Sequence, residues 1–301
     1  MQDSNLRPLA CRAGGYTPLP YPVGATVSVE FDESNEQYHA DLDYLNSSRV
    51  RDFIELGPAG YAARHVRQSN TPSASEGMQW GTLVHQWMEL GEAEFRRQAV
   101  VMPLDFVTDG GAISQSAKAK KWLAENALGA SILVTEKQLP QLSAQAAAIF
   151  AEPKARELLD AVQWREFSVR WQHPNGHLLR VRCDAATPEC WIDLKTTKEA
   201  RPSRDWWKSV RAFGYGLQSA MYRWAARECG WPCDRIHYVV SSNASHECFV
   251  GTLPDAYVDA CERRVLRALE EIESRSLLDH WLPDDHGRVV EISMPGFTLE
   301  D

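Results

Sequence analysis

The segment RVRCDAATPECWIDLKTTKEA, Arg180–Ala200, sets Asp184, Asp193 and Lys195 within a region otherwise patterned for β-structure. Upstream, VQWREFSVRWQ alternates apolar and polar residues, HPNG forms a turn, and HLLRVRCDAA alternates again; CWIDLKTT is a third strand. Pro174-Asn175-Gly176 suits a three-residue loop, with proline at the first central position of a type I turn and glycine supplying the left-handed residue. Such a loop pairs His173 with His177. Phe167, Val169 and Trp171 then face Cys183, Val181 and Leu179 on an apolar surface. On the other surface Glu166 meets Asp184, Ser168 meets Arg182 and Arg170 meets Arg180. A slip of one residue would mix the two surfaces, so their clean separation supports the register.

In that register two carboxylates stand directly across from each other, about 5 Å apart at Cβ, an arrangement that repels unless a cation lies between them. Asp193 and Lys195 are two residues apart on the third strand and share a face. Three carboxylates converging at the end of a sheet form a site for a divalent cation, and oxygen ligands select hard ions such as Mg²⁺ or Mn²⁺.

Working outward, SSRVRDFIELGPAGYAARHV opens a helical region at Ser47 with a break at Gly57-Pro58, and SEGMQWGTLVHQWMELGEAEFRR reads as a second helix. Further helices are predicted over residues 115–128 and 138–160, with one long helix over RDWWKSVRAFGYGLQSAMYRWAARECG. RIHYVVSS and HECFVGTL are strands, and PDAYVDACERRVLRALEEIESR closes the pattern as a helix. Helices followed by βββ–α–ββ–α imply an α/β domain with a mixed central sheet. Residues 27–278 are expected to form it. Residues 279–301 are expected to be a tail. Residues 1–26, Pro- and Gly-rich and aperiodic, are expected to be disordered; they resemble translated stable-RNA sequence ahead of a misassigned start.

The 301 residues carry a net charge of −9. No apolar run approaches the roughly 20 residues of a membrane span, and the first residues lack an apolar targeting segment, so a cytoplasmic protein without a membrane partner is expected. Seven cysteines at irregular spacing read as reduced, buried thiols.

GTLVH (Gly81–His85), RVRCD, IDLKT and GYGLQSAMY stand in the order and context of the RecB-like branch of the PDDEXK nucleases, where a G-x-x-x-H helix precedes D, then D/E-x-K, then Q-x-x-x-Y. Over residues 38–275 the chain most resembles the RecE-type exonucleases (exodeoxyribonuclease VIII-like). The resemblance implies a PDDEXK core and an Mg²⁺- or Mn²⁺-dependent exonuclease that degrades one strand of double-stranded DNA from the 5′ end. It also implies a homo-oligomeric ring and a role in phage-type recombination beside a single-strand annealing protein. His85, Asp184 and Asp193 would hold metal, with the Leu194 carbonyl joining them. Lys195 would position the attacking water, Glu166 would serve a second ion, and Gln218 and Tyr222 would line the DNA side. Gly81, one turn before His85, would remove bulk where backbone or DNA approaches.

Basic residues interleaved with aromatics suit a DNA strand. Lys198, Arg201, Arg204, Lys208 and Arg211 surround Trp206 and Trp207, and Arg180 and Arg182 on the polar face of the hairpin are further candidate DNA contacts. Competing readings are a restriction-type endonuclease, an iron–sulfur RecB-like nuclease, and a non-catalytic DNA-binding module that kept the fold. The iron–sulfur type needs one cysteine before the core, and the sole candidate is Cys11.

Overall fold

The computed structural model describes residues 27–290, apart from 32, 70–74, 109, 110, 128, 130, 131 and 175; the readings for residues 1–26 and 291–301 lie outside the described residues. A six-stranded mixed sheet has the order β1-β4-β5-β6-β7-β8. Its strands are β1 (Val27–Glu30), β4 (Trp164–Gln172), β5 (Leu178–Ala186), β6 (Trp191–Thr197), β7 (His237–Ser242) and β8 (Cys248–Gly251). Only β6 and β7 run parallel. A separate parallel pair, β2 (Val100–Met102) and β3 (Leu133–Thr135), was not legible as strands because each has three residues.

The helices are α1 (Asn35–Ala40), α2 (Ser47–Tyr61), α3 (Glu76–Gln98), α4 (Ala117–Asn126), α5 (Gln138–Ala151), α6 (Pro153–Asp160), α7 (Pro202–Asp205), α8 (Trp207–Phe213), α9 (Tyr215–Glu228) and α10 (Asp255–Leu278). The α3 helix crosses β6, while α5 and α6 lie along β7 and β8. The α9 helix packs on β4 and β5, and α10 and α2 stack against it. On α10, Val258, Cys261, Val265, Leu269 and Ile272 form the buried stripe expected of a helix with one apolar face.

The hairpin register is as read from the turn. His173 N–H donates to the His177 carbonyl at 2.8 Å, Gly176 has φ +92°, and Phe167↔Cys183, Val169↔Val181 and Trp171↔Leu179 pair. All six apolar residues are buried. The polar surface is not open, which corrects one expectation. Tyr38 of α1 covers it, with its ring 4.3 Å from the Arg180 guanidinium carbon. Arg170 is bound by Glu30, Glu33 and Asp41. Arg180 is 1% exposed and therefore has no reach to a DNA phosphate. A row of arginines on one sheet face needs counter-charge, and the β1–α1 segment supplies it.

The long helix expected over residues 204–230 is broken into α7, α8 and α9. Gly214 is the joint: φ +68° and ψ +31° place it in the left-handed region, where it caps α8 and opens α9. A Cβ there would also lie 3.0 Å from Cδ of Arg51. Gly214→Ala is therefore expected to cost about 1–2 kcal/mol, read as a lower midpoint in urea with unchanged slope. The expected 279–301 tail starts with a docked residue: Trp281 is buried and stacks on Tyr61 at 5.5 Å.

Candidate metal and catalytic site

The site lies where β5 and β6 part. Their ladder holds only Ala185↔Ile192 and Ala186↔Trp191. Beyond it, Leu194 N–H donates to Asp184 Oδ2 at 2.7 Å instead of to backbone. The Tyr222 hydroxyl fills the gap on the other side by donating to the Arg182 carbonyl. Further along, β5 takes Leu45 as its neighbour, with Arg180 N–H donating to the Leu45 carbonyl at 2.9 Å. The split lets side chains replace backbone as hydrogen-bond partners, so polar groups can gather inside a sheet without leaving backbone unsatisfied.

On β4, pairing passes from Arg165↔Ala185 to Phe167↔Cys183, and Glu166 between them has φ +47°. A non-glycine residue in that region costs on the order of 1 kcal/mol or more and persists only where its surroundings hold it. Glu166 is held by Arg182, whose Nε donates to Oε2 at 3.1 Å. Arg182 in turn donates through Nη1 to the Glu33 carbonyl at 2.7 Å.

His85, Glu166 and Asp184 each present a ligand atom within 4.8 Å of the others. Nε2 of His85 is 2.9 Å from the Leu194 carbonyl, and its Nδ1 is 3.8 Å from Asp184 Oδ2. A carbonyl can only accept, so Nε2 carries a proton; in the neutral ring this leaves the Nδ1 lone pair facing the carboxylates, the tautomer a metal ligand needs. The same bond engages the Leu194 oxygen, which the sequence reading placed among the ligands.

Asp193 is set differently. It is fully buried, and its carboxylate is ion-paired with Lys195 and accepts from Gln218 Nε2 at 3.1 Å, with the Tyr222 oxygen, whose proton goes to the Arg182 carbonyl, 3.3 Å away. It stands beside the trio rather than in it. Gln218 also donates to Tyr222 Oη at 2.9 Å, so the two α9 residues act as a clamp on Asp193. Lys195 Nζ lies 5.0 Å from the centre of the Tyr215 ring, a contact with no signal in the motif. A Cβ on Gly81 would meet Thr196 Oγ1 at 3.5 Å, an ordinary contact; packing in the described residues does not demand glycine there.

The electrostatics fit an acidic cradle built for a cation. Burial and then the Asp184 charge raise the Glu166 carboxyl from 4.5 to about 7. Burial raises Asp193, with Lys195 opposing and Asp184 adding. Burial alone would lower the Lys195 ammonium, but Asp193 and Asp184 hold it above 10.5, so it is a charged donor at neutral pH. A carboxyl raised by burial and a neighbouring carboxylate, beside an imidazole nitrogen, is a donor set that suits a hard divalent ion.

A pH dependence follows. Without metal, the stability contributed by Glu166's raised carboxyl is full below 4.5 and lost as pH rises through about 7. A cation competes with that proton. Mn²⁺ is therefore expected to raise the melting temperature more at pH 8 than at pH 6, and Glu166→Gln to narrow the difference. Equal shifts at both pH values in the native protein would rule out Glu166 as a ligand.

Of the cationic residues named from sequence, Lys198, Arg201, Arg204, Lys208 and Arg211 are exposed and lie on or just before α7 and α8. Arg204 pairs with Asp205, and Lys208 with Glu199 and Asp205. Trp206 is buried against Tyr215, Tyr238 and Phe249, whereas Trp207 is exposed. Cys183, Cys190, Cys229, Cys233 and Cys261 are buried separately from the trio, and burial raises each thiol above its ordinary range.

The family model described as a PDDEXK-like domain of unknown function (DUF3799) matches residues 46–281. The chain belongs to this PDDEXK-like family. The match takes in every element that builds the site, from α2 to Trp281. Among solved structures, a protein from Eubacterium rectale described as "Putative exonuclease" superposes with a TM-score of 0.59 at 16% identity, covering 88% of this chain and 97% of that one. At that identity the likeness shows the fold alone. Rai1 of Scheffersomyces stipitis, in a complex with (3′-NADP)⁺ and calcium ion, gives a TM-score of 0.28 at 11% identity, covering 78% of this chain and 68% of that one, and carries no argument. No curated protein matches the chain. Among the described residues no helix is long and apolar enough to cross a membrane.

Proposed function

We propose that this protein is a metal-dependent nuclease that hydrolyses phosphodiester bonds in DNA. The observation that carries this reading is the meeting of His85, Glu166 and Asp184 beside the Asp193–Lys195 pair, on three strands and a helix of a PDDEXK-like fold. A divalent ion bound by the trio would supply Lewis-acid charge to a phosphoryl oxygen and lower the pKa of water. The chain's own residues do the rest. Glu166 and Asp184 form the anionic cradle. His85, fixed in one tautomer by Leu194, presents its lone pair. Lys195, charged and held by Asp193, has an ammonium placed to donate to a water or to a phosphate oxygen, where negative charge grows during the reaction. Gln218 and Tyr222 keep Asp193 oriented, and so keep Lys195 in place.

The order GTLVH, RVRCD, IDLKT, GYGLQSAMY supports a narrower reading: a RecE-type exonuclease that takes one strand of duplex DNA from its 5′ end, uses Mg²⁺ or Mn²⁺, assembles as a ring and works with a single-strand annealing protein in phage-type recombination. Incubation with Mg²⁺ and linear or closed-circular duplex tests it. Mononucleotides from 5′-labelled linear DNA, with circles intact, are the expected products. Nicked or cut circles would indicate an endonuclease, and binding without cleavage would indicate a non-catalytic module.

A further inference from the structure

The α8 helix buries Trp206, Ser209 and Val210 nearby but leaves Trp207 and Phe213 each 54% exposed. Two exposed large aromatics within one short, cation-rich segment can serve as stacking surfaces for bases. They are six residues apart, about 9 Å along the helix axis and about 120° around it, with Lys208 and Arg211 between them. The segment 198–213 holds five cations against two carboxylates in a chain whose net charge is −9. The contact of Lys208 with Glu199, 3.5 Å, draws the 198–201 loop against the helix. Among the described residues Lys198, Arg201 and Arg211 have no carboxylate partner, so their charge is free for an anion.

The patch is continuous with the candidate site. The Phe213 ring lies 5.8 Å from that of Tyr215, and Tyr215 lies under Lys195. The Phe213 carbonyl accepts from Arg51 Nη1 at 3.3 Å, which anchors this end of the helix. In a duplex the base faces are already stacked on one another. Away from its ends a duplex offers no free base face, so an exposed indole and phenyl ring take bases freed from pairing far more readily, while the surrounding cations hold the phosphates between them.

Resting on the nuclease reading, we propose that α8 is a docking platform for unpaired nucleotides: bases stack on Trp207 and Phe213, phosphates lie on Lys198, Arg201 and Arg211, and the strand leads past Tyr215 to Lys195. The platform thereby favours single-stranded or frayed DNA over intact duplex.

Fluorescence anisotropy in EDTA, where no strand is cut, tests this with the full chain. The probes are labelled oligo(dT) of 20 nucleotides and a blunt duplex of the same length. Trp207→Ala and Phe213→Ala are each expected to weaken oligo(dT) binding about tenfold and duplex binding less than twofold. Arg211→Ala is expected to weaken both and to lower the salt slope by about one ion. Equal loss on both probes, or no loss on oligo(dT), overturns the platform. So does a fall in solution mass of the Trp207→Ala protein by light scattering, which would make the face an interface between copies of this chain. Cleavage of linear duplex in Mg²⁺ by the same proteins separates the two claims: cutting with unchanged oligo(dT) binding defeats the platform alone, and absence of cutting in the native protein defeats the nuclease reading.

Discussion

Asp184→Asn is expected to slow Mg²⁺-dependent cleavage of linear duplex DNA by about 10³-fold, the equivalent of about 4 kcal/mol of transition-state stabilisation. The substitution removes charge and keeps shape. Leu194 N–H, now 2.7 Å from Asp184 Oδ2, would still find an acceptor in the asparagine Oδ1. The parting of β5 and β6 therefore survives, and the melting temperature should move by no more than a few degrees. The change acts on the cradle: with a neutral residue at 184, Glu166 is relieved of its carboxylate neighbour and only two ligands of full strength remain. Calorimetric titration with Mn²⁺ should show a loss of affinity in parallel with the loss of rate. Cleavage within tenfold of the native protein, at saturating metal, would remove Asp184 from the chemistry and with it the candidate metal site described above.

The second large effect concerns Asp193 and Lys195, and it is one of stability as well as activity. Asp193→Ala leaves the ammonium of Lys195, whose side chain is 16% exposed, without its counter-ion, and strips Gln218 of its acceptor. Removing one member of a buried pair costs about 3 kcal/mol or more, and for a domain of this size that lowers the melting temperature by roughly 6–10 °C. Asp193→Ala with Lys195→Met should regain more than half of that loss, because no buried charge is then uncompensated. Both proteins should be inactive. If the single-variant penalties simply add in the double variant, the two residues are not energetically coupled, and the view that Asp193 holds Lys195 in place is lost.

Much of the candidate site was legible before any coordinates. Turn chemistry at Pro174–Gly176 set the hairpin register, and the register brought Glu166 level with Asp184, although Glu166 itself drops out of the ladder with φ +47°. The spacing in IDLKT put Asp193 and Lys195 on one face for the same reason. Four residues between Gln218 and Tyr222 put both on one side of a helix. These are local rules, and they operate over a few residues.

Other features depended on chain far away. Nothing in GTLVH says that His85 Nε2 will meet the Leu194 carbonyl and so leave Nδ1 facing the carboxylates. Nothing in IDLKT says that Asp193 will turn to Lys195 and α9 while Asp184 joins Glu166. Trp206 and Trp207 are neighbours in sequence, yet one is core and the other surface, because α8 can bury only one side. Arg180 read as a DNA contact until Tyr38 and the acidic β1–α1 segment were found over it.

The amino-acid sequence by itself determined the periodicities, the hairpin and the set of residue types available to the site, since backbone geometry and turn preferences act within a few residues. Only the tertiary structure decided which carboxylates share a cation position, which one is reserved for the lysine, and which basic residues reach solvent, because those outcomes depend on burial and on partners brought together from distant parts of the chain.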